Sequence, residues 1–460
     1  MNGRWTVPIR SLLVTACVGV FAAGAVPASR KHKETLLTPF PAEVRDSTIL
    51  SPGARHVAYV RKAGGGEQAV LDGKAEKTYA KVAELRFSPD GKALAYAAQA
   101  GDTWLIVAGG REQGPYPRVG PPAFSPDGRR LAFVAMVAQD NRAVVVDGTP
   151  GKPWELIFEG RIEFSPDGRR IAYGARRPDG WVVVVDNRPL GPYEFLGSAT
   201  GIQFSPDGTQ VAWAARAGKQ WQVVVNGKPR PACDNLGELV FSRDGKHLAY
   251  AAMQGQRWLA VVDGKPQEPF DAIGENTLQF SPEGKKVAYA ARSGKGWCAV
   301  VDGKAGKTYE GIGQMKFSPD GRELAYVARQ GDEEMVVLGD QPPRPFHRIG
   351  GGTLVFSPGG RRLAYVARSG TGAFVVADGK RKPRFDRVGY LTFAPDGRRP
   401  VYAATRGEHA FTVVDDKEAA HRYEQIWMPP GENLTFTSPT RFHYVAVKAG
   451  NVYLVEEELD

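Results

Sequence analysis

Cysteine and histidine are both scarce in this sequence, and neither is arranged for chemistry. The three cysteines, Cys17, Cys233 and Cys298, lie far apart, so no disulfide framework is expected and stability has to come from packing. The seven histidines include no His-x-His or His-x-x-x-His spacing, so no metal ligand is assigned. There is no Gly-x-Ser-x-Gly elbow and no Walker-type loop. No hydrolase domain is expected after the last repeat. On these absences the chain is read as non-catalytic and without a cofactor.

Long apolar runs are also missing, except at the start. Arg4 and Arg10 precede the apolar stretch Ser11 to Val26, and Val26-Pro27-Ala28 offers a small-residue cleavage site before Ser29. Residues 1–28 are therefore read as a signal peptide, and the mature chain as periplasmic or extracellular with no transmembrane span. Lipoprotein anchoring at Cys17, through Val14-Thr15-Ala16-Cys17, and an uncleaved anchor are the less favoured rivals. The formal charge is +10. That balance suits acidic partners such as nucleic acid or anionic envelope polymers, or reflects a solvated surface. Export and the lack of stacking aromatics among the basic turns argue against nucleic acid.

What the sequence does contain is a repeat. Gly (55) and Pro (34) recur at fixed places, which signals many short strands joined by tight turns. The anchor Phe-Ser-Pro-Asp-Gly has its Phe at 87, 124, 164, 204 and 317, with looser copies at 241, 280, 356 and 393 and degenerate ones at Leu50 and Phe436. Anchors between 87 and 393 are 37 to 40 residues apart. In the unit near Gly201, strand a is Ile202 to Ser205, strand b Val211 to Ala215 and strand c Trp221 to Val225. A short Pro-bearing strand d follows Asn226-Gly227-Lys228. Pro, Asp and Gly suit successive turn positions. Strands b and c are apolar on both faces, so each sheet needs a neighbour on either side. Ala212, Ala249, Ala288 and Ala325 would let those neighbours come close. Small sheets with this requirement stack radially into a propeller.

The run Phe-Ser-Pro-Asp-Gly-(Lys/Arg)-x-(Leu/Val)-Ala-Tyr, as at Phe87–Tyr96 and Phe317–Tyr326, resembles the WD40-like, or PD40, repeat of TolB-type β-propellers. The resemblance covers nearly all of the chain after residue 45. A Val-Asp-Gly ending replaces the Trp-Asp of true WD40 repeats, which favours the TolB-like branch. The resemblance implies an all-β propeller of about eleven four-stranded blades and leans towards an envelope-associated interaction protein. The segment Thr38 to Val44 is expected to supply the missing fourth strand of the last blade. Since rings usually hold four to eight blades, two rings (29–237 with blades one to five, 238–460 with blades six to eleven) are preferred over a single ring spanning 38–460.

Alternating strands put the a–b and c–d turns on one face and the b–c and d–a loops on the other. The first face collects Arg129, Arg130, Arg169, Arg170, Lys285, Lys286, Arg361, Arg362, Arg398 and Arg399, and its Asp residues are read as turn formers, not calcium ligands. The second face collects Arg176, Arg216, Arg292, Arg329 and Arg368 with Glu194, Asp271, Glu310, Asp386 and Glu424. This face is the candidate binding surface, since alternating Arg and carboxylate suits polar groups of peptide or glycan. The competing reading is structural salt bridges. Trp104, Trp181, Trp221, Trp258 and Trp297 open strand c and serve either stacking or packing. The function expected is an extracytoplasmic scaffold for a protein or cell-envelope polymer. The alternative is a propeller-type hydrolase or lyase acting on glycan or peptide, for which Glu275, Glu194 and His347 are the least repetitive candidates.

Overall fold

The computed structural model describes residues 30–39, 47–138, 140–197, 201–339 and 343–459. The leader expected over 1–28 lies outside the described residues. The chain forms eleven antiparallel sheets, each ordered a-b-c-d, and the architecture is a β-propeller. The blade containing Gly201 is typical. Its strands are Ile202–Phe204, Val211–Ala217, Gln220–Val225 and Lys228–Pro229. A further piece of its first strand, Phe195–Leu196, pairs with the same second strand. The alternation expected from the sequence is therefore present, with strand b reaching two residues further than its apolar run.

Radial stacking follows from composition. The alanine at the second position of strand b is fully buried in blade after blade: Ala58, Ala95, Ala132, Ala172, Ala212, Ala249, Ala288, Ala325 and Ala364 are all 0% exposed. A methyl group there lets the adjoining sheet approach while the valines of strand c fill the remaining space. First strands of successive blades touch, as Leu156–Phe164 does Ile202–Phe204 and Asn235–Phe241 does Gln279–Phe280. Strand a is therefore the hub and strand d the outer edge. Several outer strands are only two residues long and end in proline, such as Lys228–Pro229 and Lys265–Pro266, which blunts an exposed edge.

The ring is closed by the clasp the sequence suggested, but from a different segment. The strand His32–Pro39 pairs antiparallel with Asn451–Glu458 and becomes the fourth strand of the last blade. Of the expected segment Thr38 to Val44, only Thr38 and Pro39 belong to it, and residues 40–46 lie outside the described residues. The anchoring groups sit upstream. Leu37 packs on the core of the last blade, and Glu34 accepts the Tyr423 hydroxyl at 2.9 Å.

The interblade contacts run in one cycle. Val223 and Val225 of blade five share a core with Leu239 and Tyr250 of blade six. Blade eleven closes on blade one, where Ala54 and Val57 pack with Phe442 and Tyr444. At the same junction the Gly53 N–H donates to Glu432 at 2.9 Å, and His443 bonds the Gly53 carbonyl. The two-ring division expected between residues 237 and 238 has no counterpart in these contacts, which describe the single ring. Blade five is apolar on both faces, and blade six supplies its cover.

Candidate functional site

The turn face is built by one hydrogen-bond device repeated around the ring. In Ser-Pro-Asp-Gly the serine is buried and its hydroxyl donates to the Asp carboxylate, at 2.5 Å for Ser165 to Asp167 and 2.6 Å for Ser88 to Asp90. The same carboxylate oxygen accepts a backbone N–H two residues on, that of Arg169 or Lys92, at 3.1 Å. The bond from Ser165 is the main cause holding the Asp167 carboxyl below its usual value, with the Arg169 N–H next. A second carboxylate, in the c–d turn, accepts the first N–H of strand b. Asp147 takes Leu131 at 2.9 Å and Asp186 takes Ile171 at 3.0 Å.

The cations of this face fall into two sets. The residue six beyond the anchor is a latch. Arg130 donates to Asp147 at 3.0 Å and across the junction to the Gly168 carbonyl at 3.2 Å. Arg170 does the same with Asp186 at 2.9 Å and Gly208 at 3.1 Å. Lys286 reaches Gly321 at 3.1 Å, and Arg362 pairs with Asp378 at 2.6 Å and bonds the Arg398 carbonyl. The residue before the latch points outward. Side-chain exposure is 82% for Lys92, 85% for Arg169 and 84% for Arg322, against 44%, 52% and 39% for the Asp of the same turn. The face therefore engages its carboxylates in the turns, 3.8 Å from these same cations, whose ammonium and guanidinium groups project further into solvent. Lys74, Arg188, Lys228, Lys265, Lys304 and Lys380 add exposed charge from the c–d turns.

On the opposite face most of the predicted binding residues have structural partners. Asp271, Glu310 and Asp386 accept the N–H of Gly294, Gly331 and Gly407 at 2.6, 3.1 and 2.7 Å, each fixing a b–c turn. Glu424 does the same for Ala449 at 2.7 Å. Arg176 and Arg292 lie over Trp181 and Trp297, 5.9 and 5.8 Å from the ring centroids. Arg216 is brought to Glu194 at 3.6 Å and lies 4.1 Å over Phe195. Arg329 and Arg368 remain exposed. The expected Arg–carboxylate alternation is thus a paired contact at Glu194 and Arg216, whereas Glu310 and Asp386 are turned towards backbone amides and Asp271 meets both an amide and Arg257, the latter at 3.5 Å. Trp104, Trp221 and Trp297 pack on interblade cores, Trp181 stacks on Phe158 at 4.4 Å, and Trp258 is half-buried. Glu194, Glu275 and His347 stand in blades five, seven and nine, and the fold does not bring them together.

Sequence reading missed a place among the described residues where non-repeated polar groups converge. Glu457 is 1% exposed and accepts the hydroxyls of Thr412 and Tyr444, each at 2.6 Å. It meets His421 Nε2 at 2.9 Å and Arg30 Nε at 3.0 Å. Arg30, 5% exposed, also donates to the Thr412 carbonyl at 3.0 Å. The signal was there in principle: His421 and Glu457 both depart from the repeat, and Arg30 lies just beyond the predicted cleavage site. This cluster joins clasp, last blade and blade ten, so it acts on closure. Among the described residues, no group of three or more His, Cys, Asp or Glu could hold a metal ion. Nor is any helix among them long and apolar enough to cross a membrane.

No family model and no curated protein matches the chain. Solved structures similar to it include a eukaryotic initiation factor, at 15% identity over 68% of this chain and 91% of that one, with a TM-score of 0.40. TolB from Acinetobacter baumannii matches at 16% identity over 57% of this chain and 80% of that one, with a TM-score of 0.25. The β-propeller domain of the Trilobed protease from Pyrococcus furiosus matches at 14% identity over 57% and 94%, with a TM-score of 0.28.

Proposed function

We propose that this chain is an exported, non-catalytic interaction scaffold of the TolB-like, PD40-repeat kind, holding a protein or cell-envelope polymer that presents negative charge to its turn face. The observation that carries the reading is the sorting of charge on that face. Carboxylates are engaged by serine hydroxyls and backbone amides, while Lys92, Arg169 and Arg322 stand more than four-fifths exposed. A partner approaching the face meets cations first, and their repetition from blade to blade suits an extended polyanion. Exposed pairs in these turns contribute little to stability, so their loss is tolerable to the fold. The hydrolase or lyase alternative draws no support from Glu194, Glu275 and His347, which stand on separate blades.

The test is retention of the purified full-length chain on immobilised heparin, used as a probe polyanion, against neutral dextran. Heparin should retain it at low salt and release it as salt rises, and charge reversal at Arg129, Arg169 and Arg361 should weaken retention. Equal behaviour on both matrices, or no change on reversal, refutes the turn-face assignment. N-terminal sequencing of chain recovered from the envelope fraction should begin at Ser29. Recovery only from the cytosol refutes export.

A further inference from the structure

At the junction of blades six and seven the latch position is held within its own blade, and a cavity lies there. The residue six beyond the anchor is His247. In the junctions that follow blades three, four, five, seven and nine this position reaches across the gap through Arg130, Arg170, Gln210, Lys286 and Arg362. His247 is shorter, and its Nδ1 is held by Asp263 at 2.7 Å. The space is a cleft of about 430 Å³, walled by His247, Phe280, Gly284 and Tyr289. That size falls within the range of small-ligand pockets, roughly 300–1,000 Å³.

A second, independent observation lies at the same junction, in a residue that borders the cleft. The Tyr289 side chain is 1% exposed, and its hydroxyl has no hydrogen-bond partner. The tyrosine at the same repeat position in blade two, Tyr96, donates to Glu76 of the preceding blade at 2.7 Å. In blade six Gln267 occupies the place of Glu76 and lines the cleft without making that bond. Blade one also has a histidine at the latch, His56, paired with Asp72 at 2.6 Å. Neither feature alone distinguishes the site, since Tyr402 at the same repeat position of blade ten is also buried without a partner; among the described residues the histidine and the unpaired hydroxyl coincide at this junction. A buried polar group left without a partner is costly, and a native structure retains one for a reason.

The remaining groups set the ligand chemistry. Asp302 accepts the Val287 N–H at 2.9 Å with one oxygen and lines the cleft, as does the exposed Lys285. Phe280 provides a half-buried aromatic wall. A simple anion would face Asp263 and Asp302, and an apolar ligand would strand Tyr289 and Gln267. Donors and acceptors interleaved beside an aromatic ring match a hydroxyl-rich ring. We propose that the junction of blades six and seven is a carbohydrate site, taking one or two hexose rings with Tyr289 and Lys285 as donors, Asp302 as acceptor and Phe280 as stacking surface.

The experiment titrates the full-length protein with glucose, galactose and N-acetylglucosamine, read by saturation-transfer NMR and calorimetry. At least one should bind. Tyr289→Phe should weaken it about tenfold, the effect of one neutral hydrogen bond. His247→Arg, which rebuilds the latch and fills the cleft, should abolish binding with the β-sheet circular dichroism unchanged. The proposal is overturned if none of the three sugars binds, if both variants bind as the parent does, or if inorganic phosphate binds at Lys285 and the sugars do not. Heparin retention separates this site from the turn-face reading. His247→Arg should retain heparin normally, and charge reversal at Arg169 should leave sugar binding intact.

Discussion

Replacing Glu457 with glutamine should open the clasp, and the size of the effect follows from what surrounds it. The carboxylate has an Arg30 guanidinium at 3.0 Å with both side chains at most 3% exposed. Glutamine keeps an oxygen for Thr412 or Tyr444 but leaves the Arg30 charge buried and uncompensated. Removing one partner of a buried ion pair costs about 3–5 kcal/mol. Arg30→Met combined with Glu457→Gln should regain much of that, because the pair is worth little relative to apolar groups. The assay is hydrogen exchange of the segments 32–39 and 451–458, with urea unfolding alongside. Large repeat rings need not unfold in one step. The pH dependence has a definite sign. Burial raises the Glu457 pKa, but His421 and Arg30 outweigh it and hold it below 4.5. A carboxyl depressed in the folded state contributes stability above its unfolded value, and that contribution fades as pH falls through the folded value. The clasp should therefore loosen in acid below about 4.5, and Glu457→Gln should lack that step. Protection of residues 32–39 unchanged in the single variant would refute the reasoning.

Other perturbations separate the roles of neighbouring residues. Arg170→Ala, which loses bonds to Asp186 and Gly208, should cost about 1–2 kcal/mol in urea unfolding, whereas Arg169→Ala should change stability by less than about 0.5 kcal/mol yet weaken heparin retention. Gly245→Ala should destabilise by about 1–3 kcal/mol, since a methyl group there would lie 2.5 Å from the Asp207 carboxyl carbon at a φ of +75°; a normal unfolding midpoint would contradict this. His443 is buried against blade one, and burial lowers its pKa from 6.5. The unfolded chain then takes up the proton first, so stability should fall as pH drops below about 6.5, and His443→Gln should flatten that slope in thermal melts.

The blade was legible because each of its requirements falls on a short, repeated word. Phe204 to Gly208 sets the a–b turn, Ala212 the close approach and Asn226-Gly227 the c–d turn, and all appear where the pattern placed them. Blade count followed from counting anchors. What was not legible depended on distance between repeats. Nothing in Asp271 or Glu310 distinguishes a carboxylate offered to a ligand from one that fixes the Gly294 or Gly331 amide, because the amide belongs to a turn some twenty residues on. The paired roles of Arg169 and Arg170 were equally invisible. The two identical side chains leave one turn in different directions, so one points to solvent and the other crosses to the next blade. The closing strand was misplaced by about a turn of sequence because its anchors, Glu34 and Leu37, find partners in the last two blades.

The latch position shows how a repeat array carries individual information. Eleven near-identical sheets would close into a ring with no preferred place on it, since every junction would be equivalent. Here the residue six beyond the anchor is Arg in blades three, four, nine and ten, Lys in blade seven, Gln in blade five, His in blades one and six, Ala in blade two and Glu in blade eight. Long donors bridge the junction, and His247 withdraws to Asp263 and leaves space. Variation at this one position adjusts how tightly each pair of blades is tied without touching the apolar faces that hold them. The two ends of the ring then need a bond of their own, and the buried Arg30–Glu457 pair supplies it from residues that no repeat contains.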